Sequence, residues 1–501
     1  MSEATETPIA EAPKSLKRKA AKGVTWSAVE QWGRQGVNFV VILILSRLLD
    51  PKAFGFLAAG LAYTAFAEIF VEQGFAHAII QRADLEPGHK NAACWGNLAI
   101  GILITILGFL GAPWIASFFR VAELTPVMRW LSLFFLLHAL SETQQALLQR
   151  QLAFRSLSIR TLIATLAGGI VGISLAVLGY GVWSLVALTL VEKSVNVLLL
   201  WFASDWRPGL QMSWRHYREL FAFGINIMLA SFLGYINRRS DNLVVARFLG
   251  PIALGYYTLA YQFLPVALQL LAGITSVVAY PVLSRLQGDM ERMRRVYYQA
   301  TQLTGFVAFP IFIGMSLVAR EIILSFNGAK WLPSVPVLQV LSLSGILLSL
   351  HLFNGTVLKA GGRPQWALWI AIMNAVSNLT GFLIAVRWGI VAVAAAYVIR
   401  GYVLAPVTYL AVHRLIQLDF RLYFRQLRGT LIGTLLMTAM VLALRLFLQA
   451  HLPVQVALGL YILAGGATYL LALRLLEPAL VREFVHYVQM ALPERRKQAG
   501  T

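Results

Sequence analysis

Charge is scarce in this chain. Aspartate and glutamate together number 22 in 501 residues, and all charged types make up 13% of it. A soluble domain carries about a quarter, so an ordinary soluble globular fold is excluded. Cysteine occurs once, at Cys94. That excludes an intrachain disulfide, and in an apolar segment the thiol reads as small filler. The eight histidines are scattered, with His77, His89 and His138 the nearest neighbours in the first half. No linear metal-ligand spacing is visible among them. There is no glycine-rich phosphate loop, so ATP hydrolysis is not expected. No polar stretch is long enough to form a separate donor-binding domain, which argues against a glycan polymerase, ligase or glycosyltransferase.

Apolar residues are abundant instead, at 58% of the chain with a mean hydropathy of +0.69. About 14 apolar stretches follow one another from Val24 to Leu476, each near the roughly 20 residues a helix needs to cross about 30 Å of hydrocarbon. Backbone polar groups cannot be left bare in lipid, so these runs must be helices. A barrel of short alternating strands does not fit. The expected fold is an all-α polytopic membrane protein. The spans fall near 24–48, 54–80, 92–116, 125–148, 157–178 and 182–203, then 220–248, 252–280, 297–319, 334–358, 366–386 and 389–412, with a last pair near 430–449 and 454–475.

Residues 1–23 are acidic, then basic, and lack the apolar core of a signal peptide. They are expected to form a disordered cytoplasmic tail. With the N-terminus inside, most Lys and Arg residues fall on the cytoplasmic side. Arg47, Lys52, Arg120, Arg129, Arg247, Arg320, Lys330 and Arg387 fall on the other. This asymmetry orients the chain with both ends in the cytoplasm. It also accounts for the net charge of +20 without nucleic acid. The linkers 204–219 and 413–429 and the tail 476–501 mix aromatics with arginines. In the tail, Leu480, Phe484, Val485 and Val488 share one helix face, a pattern suited to the headgroup surface of membrane lipids.

The chain contains an internal duplication. Ser46–Gly55 and Ala246–Gly255 share Arg47/Arg247, Leu49/Leu249, Pro51/Pro251, Ala53/Ala253 and Gly55/Gly255 at an offset of 200. Val127, Leu131, Ser132, Leu133, Leu137, Leu140 and Leu148 recur 210 residues later as Val337, Leu341, Ser342, Leu343, Leu347, Leu350 and Leu358. The expected layout is therefore a six-helix lobe over 24–203, a second over 220–412, and an extra helix pair over 430–475. An even number of spans per copy makes the lobes parallel repeats, with the site expected between them.

The order 6+6+2 resembles the MOP superfamily of flippases and exporters. The local strings resemble its polysaccharide-transporter branch, the Wzx-like flippases, particularly the colanic-acid-exporter type. They are Ala21-Lys22-Gly23-Val24 leading into Trp26, Leu45 to Pro51 with Phe54-Gly55, Gly74-Phe75 with Ala78 to Gln81, and Gly179 to Val186. Arg239, Asp241-Asn242, Leu249-Gly250, Leu254 to Tyr257 and Ala260-Tyr261 complete the set. The resemblance implies export of a polyprenyl-diphosphate-linked oligosaccharide across a bacterial inner membrane, for lipopolysaccharide or exopolysaccharide assembly. It also implies polysaccharide polymerase machinery as a partner. The alternative is a cation-coupled drug or metabolite antiporter of the same superfamily.

Six cations sit inside the expected spans: Arg34, Lys193, Arg238, Arg239, Arg400 and Arg445. An arginine facing mid-bilayer lipid costs about 2.5–3.5 kcal/mol even on a lenient scale. Arg34 lies roughly 15 Å into the first span. Arg238 matches Asn38 in the repeat, one turn beyond Arg34 on the same face. Arg34, Arg238, Arg239 and Arg400 are expected to bind the diphosphate, since guanidinium forks suit phosphate oxygens. Pairing of Arg34 with Glu30, and of Arg238 with Asp241, is the structural alternative. Arg445, near a span end, is expected to snorkel. Glu30, Glu68, Glu72, Glu142 and Asp241 are candidates for coupling to H⁺ or Na⁺, since a carboxylate in a low-dielectric cleft can take up a proton or hold a cation. No other cofactor is expected.

Overall fold

The computed structural model describes residues 14–269, 289–448 and 452–491. Arg285 and the end of the span expected at 252–280 lie outside these residues. Among the described residues the regular structure is helical throughout. The first half contains α1 (Lys14–Leu48), α2 (Pro51–Glu72), α3 (Phe75–Gln81), α4 (Pro87–Phe118), α5 (Leu124–Arg150), α6 (Phe154–Val177) and α7 (Val182–Ala203). Then comes the long α8 (Trp214–Tyr261). The main later helices are Met290–Leu317, Ser334–Leu350, Pro364–Ala385, Ile390–Ile416, Phe420–Leu448, Val454–Leu476 and Pro478–Ala491.

Twelve of the described helices are long and apolar enough to cross a membrane. The expected span 24–48 is present as α1 but falls short of that standard. Glu30, Gln31, Arg34, Gln35 and Asn38 interrupt its apolar run. The helix also begins at Lys14, inside the stretch expected to be a disordered tail. Lysine, arginine and alanine are good helix formers, and they extend it. The spans expected at 220–248 and 252–280 run as one apolar segment, Trp214–Gln269, broken at Gly250 (φ 83°, ψ 178°). Glycine adopts that left-handed φ at no steric cost, and Pro251 then starts the next helical stretch.

The chain divides into two compact units. One holds the described residues up to Leu49 together with Gly60–Phe232, and the other holds Asp50–Ala59 and the described residues from Leu233 onward. In the first unit α6 packs on both α1 and α7, and α5 on α4 and α7. Small residues allow the approach: a side chain at Gly168 would meet the Leu188 carbonyl oxygen at 2.8 Å, and one at Gly169 would meet Val41 at 2.7 Å. Arg150, expected to be a loop cation, donates to the carbonyl oxygens of Ile79 at 2.6 Å and Ala83 at 3.2 Å. It thereby satisfies the free carbonyls at the end of α3.

In the second unit the duplicated strings face each other. A Cβ on Gly55 would lie 1.7 Å from the Pro251 carbonyl oxygen, and a Cβ on Gly255 would lie 2.0 Å from that of Pro51. The contact is reciprocal, each glycine facing the proline of the other string. It explains why glycine and proline recur together. Trp331 is fully buried nearby, edge-on to Phe54 (5.1 Å) and Tyr256 (6.0 Å).

Three segments differ from expectation. The stretch 413–429 is not a surface strip: helix Ile390–Ile416 runs into it and helix Phe420–Leu448 starts within it, and Tyr423 and Leu427 are buried. In Pro478–Ala491, Leu480 is buried against Leu303, Phe306 and Tyr469, and Phe484 lies 4.7 Å from Phe306. That face seals the protein core, although Val485 stays exposed. Arg445 does not snorkel; it donates to both carboxylate oxygens of Glu321, at 2.6 and 2.7 Å.

Two outcomes follow. Gly55→Ala or Gly255→Ala overpacks backbone against backbone and should cost about 1–3 kcal/mol, read as a lowered melting temperature in detergent. Arg445→Ala strands the buried Glu321 carboxylate and should cost about 3–5 kcal/mol. Most of that loss should return in the double variant Arg445→Met/Glu321→Met, in the same melting assay.

Candidate functional site

The first unit holds a group of ionisable side chains that the sequence shows only in part. Glu68 comes from α2, His138 and Glu142 from α5, and Lys193 from α7. Lys193 Nζ lies 2.8 Å from His138 Nδ1, with Glu142 at 3.4 Å and Glu68 at 3.7 Å from the same nitrogen. One ring nitrogen cannot accept from an ammonium and donate to a carboxylate at once. So the arrangement has one proton position and several claimants. His138 and Glu142 are buried, and His138 Nε2 has no hydrogen-bond partner among the described residues. Lys193 also sits over the Phe134 ring at 4.8 Å. Spacing relates Glu142 to His138 one turn back, but Lys193 is 55 residues away, so sequence patterning could not add it.

The other acids make their closest contacts with other groups, although the Glu72 charge also acts on Glu142. Glu72 lies 3.6 Å from His77. The Ser158 hydroxyl lies 3.2 Å from a Glu30 carboxylate oxygen, with the carbonyl oxygens of Phe154 (2.7 Å) and Trp26 (3.0 Å) competing for its one proton. Among the described residues no ion pair joins Glu30 to Arg34, whose side chain is exposed. Nearby Arg160, expected to be a loop cation, is buried. Its Nε donates to the Ser156 carbonyl oxygen at 2.7 Å, while neither terminal nitrogen has a partner among the described residues. Glu192 accepts from the Thr165 hydroxyl at 2.9 Å.

The second unit carries the remaining candidates. Asp241 is buried and accepts from the Tyr257 hydroxyl at 2.9 Å and the Asn242 N–H at 2.7 Å. Among the described residues it forms no ion pair with Arg238. Arg238 and Arg239 are both exposed. The Arg238 guanidinium folds back over Gly234, where a Cβ would approach it to 3.1 Å. Arg400 is half-buried, donates to the Asn374 side-chain oxygen and lies over the Tyr397 ring at 5.3 Å. Asn378, one turn from Asn374, donates to the Asn237 side chain at 3.3 Å. Asn237 in turn donates to the Ala371 carbonyl oxygen at 3.1 Å. Helix Pro364–Ala385 thus presents a polar edge beside the arginines of α8. Arg238, Arg239 and Arg400 share this unit, and Arg34 belongs to the other.

Two apolar cavities stand apart from these charges. One of about 770 Å³ in the first unit is lined by residues including Phe66, Phe70, Leu107 and Trp114. Another of about 890 Å³ in the second unit is lined by residues including Leu347, Tyr402, Tyr409, Tyr423 and Leu431. Both walls are largely apolar and hold no charged side chain, and hydroxyls of Tyr402, Tyr409 and Tyr423 are among the polar groups of the second.

Comparison with known proteins places the chain. The family described as polysaccharide biosynthesis protein matches residues 44–336. The lipopolysaccharide biosynthesis protein WzxC of Escherichia coli (strain K12) is 30% identical over 70% of this chain and 71% of its own. The succinoglycan biosynthesis transport protein ExoT of Rhizobium meliloti (strain 1021) is 28% identical over 72% of this chain and 73% of its own. In fold the chain is similar to the lipid II flippase MurJ in an inward closed conformation, with a TM-score of 0.75 over 92% of this chain and all of that one, at 15% identity. It is a multi-pass membrane protein that belongs to the polysaccharide biosynthesis protein family.

Proposed function

We propose that this protein flips a polyprenyl-diphosphate-linked oligosaccharide across the bacterial inner membrane by alternating access of its two repeated lobes. Both termini would lie in the cytoplasm, and the released glycan would pass to polysaccharide polymerase machinery. Translocation of this kind asks for binding and gating rather than covalent chemistry by the chain.

One observation carries the reading. Arg34, Arg238 and Arg239 lie within long helices, are exposed, and form no ion pair among the described residues. A guanidinium so placed faces either hydrocarbon or a wet passage. The first costs about 2.5–3.5 kcal/mol for each arginine. In the second, a diphosphate supplies acceptor oxygens for two-pronged hydrogen bonds. Arg400, already aligned by Asn374 and Tyr397, would extend the cationic lining. The exporters named above act in polysaccharide biosynthesis by their names, and an anionic lipid-linked glycan is the cargo that fits such a lining. A cationic drug would be repelled by it.

We assign ion coupling to Glu68, His138, Glu142 and Lys193 in preference to Glu30 and Asp241, whose oxygens are contacted by Ser158, Tyr257 and Asn242. The lysine bears on the choice of coupling ion. Its ammonium already sits at 2.8 Å from His138 Nδ1, beside the Glu142 and Glu68 carboxylates, where a Na⁺ would need room for several oxygen ligands. A proton arriving from solution brings the same charge but bonds directly to a carboxylate oxygen or to the imidazole and needs no coordination shell. This occupancy by Lys193 favours H⁺ as the coupling ion.

In a deletion strain, Arg34→Ala and Arg238→Ala should each abolish surface polysaccharide while immunoblots show normal membrane insertion. Full complementation by both would refute the cationic lining. A drug-resistance phenotype without any glycan phenotype would point to the antiporter instead. In proteoliposomes, an imposed pH gradient should drive lipid-linked glycan export and a Na⁺ gradient should not, and Glu142→Gln should remove the pH dependence. Export driven by Na⁺ alone would overturn the proton assignment.

A further inference from the structure

A second polar group lies on the arginine-rich face of the first unit, where the turn leading into α4 meets the first turns of α8. Glu86 and His89 come from the turn and the helix start; His216 and Glu219 come from α8. Each of Glu86, His89 and His216 can offer one ligand atom, and the three atoms lie within 4.8 Å of one another. The imidazole rings of His89 and His216 are 4.3 Å apart at 76°.

Part of this group is an ordinary helix cap. The Glu86 carboxylate accepts from the backbone at His89, and the His89 ring accepts from the backbone N–H of Glu86. Capping accounts for those two residues. It accounts for neither His216 nor Glu219.

The hydrogen bonds fix the protonation of His89, which is fully buried. Its Nδ1 accepts from the Glu86 N–H at a long 3.3 Å. The proton therefore sits on Nε2, which donates to Glu219 at 3.1 Å. Glu219 is itself held by Arg82 at 2.6 Å and Arg215 at 3.1 Å. A neutral imidazole with one nitrogen donating to an anchored carboxylate is the arrangement that orients a metal-ligating histidine. The weakly engaged Nδ1 is the nitrogen left to coordinate.

His216 completes the set. Its Nε2 lies 3.0 Å from the Glu86 carboxylate, and its Nδ1 is buried without a partner among the described residues. The ring rests against Gly88, where a Cβ would come within 2.6 Å of it. Glycine at that position leaves the space the ring occupies.

We propose that Glu86, His89 and His216 bind a first-row divalent cation of the zinc class, with Glu219 orienting His89. Two imidazoles and one carboxylate suit zinc, cobalt or nickel, whereas magnesium and calcium prefer an all-oxygen shell. Ligand distances of about 2.0–2.2 Å require only a small inward rotation of side chains already in reach. A bound ion would fasten the turn before α4 to the start of α8.

The test uses the full-length, tag-free protein in nanodiscs, stripped with a chelator and titrated with ZnCl₂. The parent should bind one zinc per chain by calorimetry and elemental analysis, and its melting temperature should rise on binding. His216→Ala and Glu86→Ala should each weaken binding about tenfold or more, as should Glu219→Gln from outside the coordination shell. His486→Ala should bind as the parent does. His216→Ala removes no buried hydrogen bond, so it keeps the test decisive if His89→Ala fails to fold. Absence of stoichiometric binding, or equal binding by parent, His216→Ala and Glu86→Ala, would overturn the site and leave a helix cap alone. None of these readouts depends on glycan export.

Discussion

The organising constraint is the cost of putting a charge where water is absent. Each guanidinium, ammonium or carboxylate within these helices must have a partner, reach water or meet a ligand. Arg445 satisfies the rule with Glu321, bidentate and mostly buried. Lys193 satisfies it with His138 and the Phe134 ring. Arg34, Arg238 and Arg239 do not satisfy it inside the protein, since the acids nearest in sequence are in contact with Ser158, Tyr257 and Asn242. On the proposed function, an anionic cargo would supply what these arginines lack.

Glycine sets the second constraint. Apolar side chains gain little by leaving lipid for one another, so helices in a bilayer associate through close packing of small residues. The reciprocal approach of Gly55 to Pro251 and of Gly255 to Pro51 brings backbone against backbone. Within the first unit, Gly74 and Gly224 meet in the same way, with a Cβ on Gly224 falling 2.0 Å from the Gln73 carbonyl oxygen. Contacts without interlocking side chains can separate and re-form with little repacking.

The parts of this architecture legible in the sequence are those written in periodic or repeated form. Apolar runs of helix-crossing length gave most of the spans, and the Arg-Pro-Gly repeat marked a contact that does pair its two copies. What stayed hidden depends on neighbours distant along the chain. Nothing local in Arg445 points to Glu321, 124 residues earlier. Nothing near Arg160 shows that it turns inward rather than into a loop. The tail helix reads as amphipathic either way, because a face suited to headgroups is equally suited to Phe306 and Tyr469. Local pairing rules misled most at Glu30 and Asp241. A favourable i,i+4 or i,i+3 ion pair contributes only about 0.2–0.5 kcal/mol, too little to hold a carboxylate that a neighbouring helix offers a hydroxyl.

That same weakness explains how binding and coupling can share one fold. Lone intrahelical pairs would neutralise the arginines at small cost and leave nothing to attract a diphosphate. On the proposed function, the lack of ion pairs from Glu30 to Arg34 and from Asp241 to Arg238 would leave those guanidiniums available to a ligand. The protein holds a separate acid group at His138, where Glu142, Glu68 and Lys193 compete for one nitrogen. A site with more claimants than proton positions changes its contacts when a single proton arrives or leaves. The contacts come from α2, α5 and α7, so a change at one nitrogen alters how three helices hold together. On the proposed function, cargo charge would be read by the exposed arginines, and the driving ion by the carboxylates beside His138.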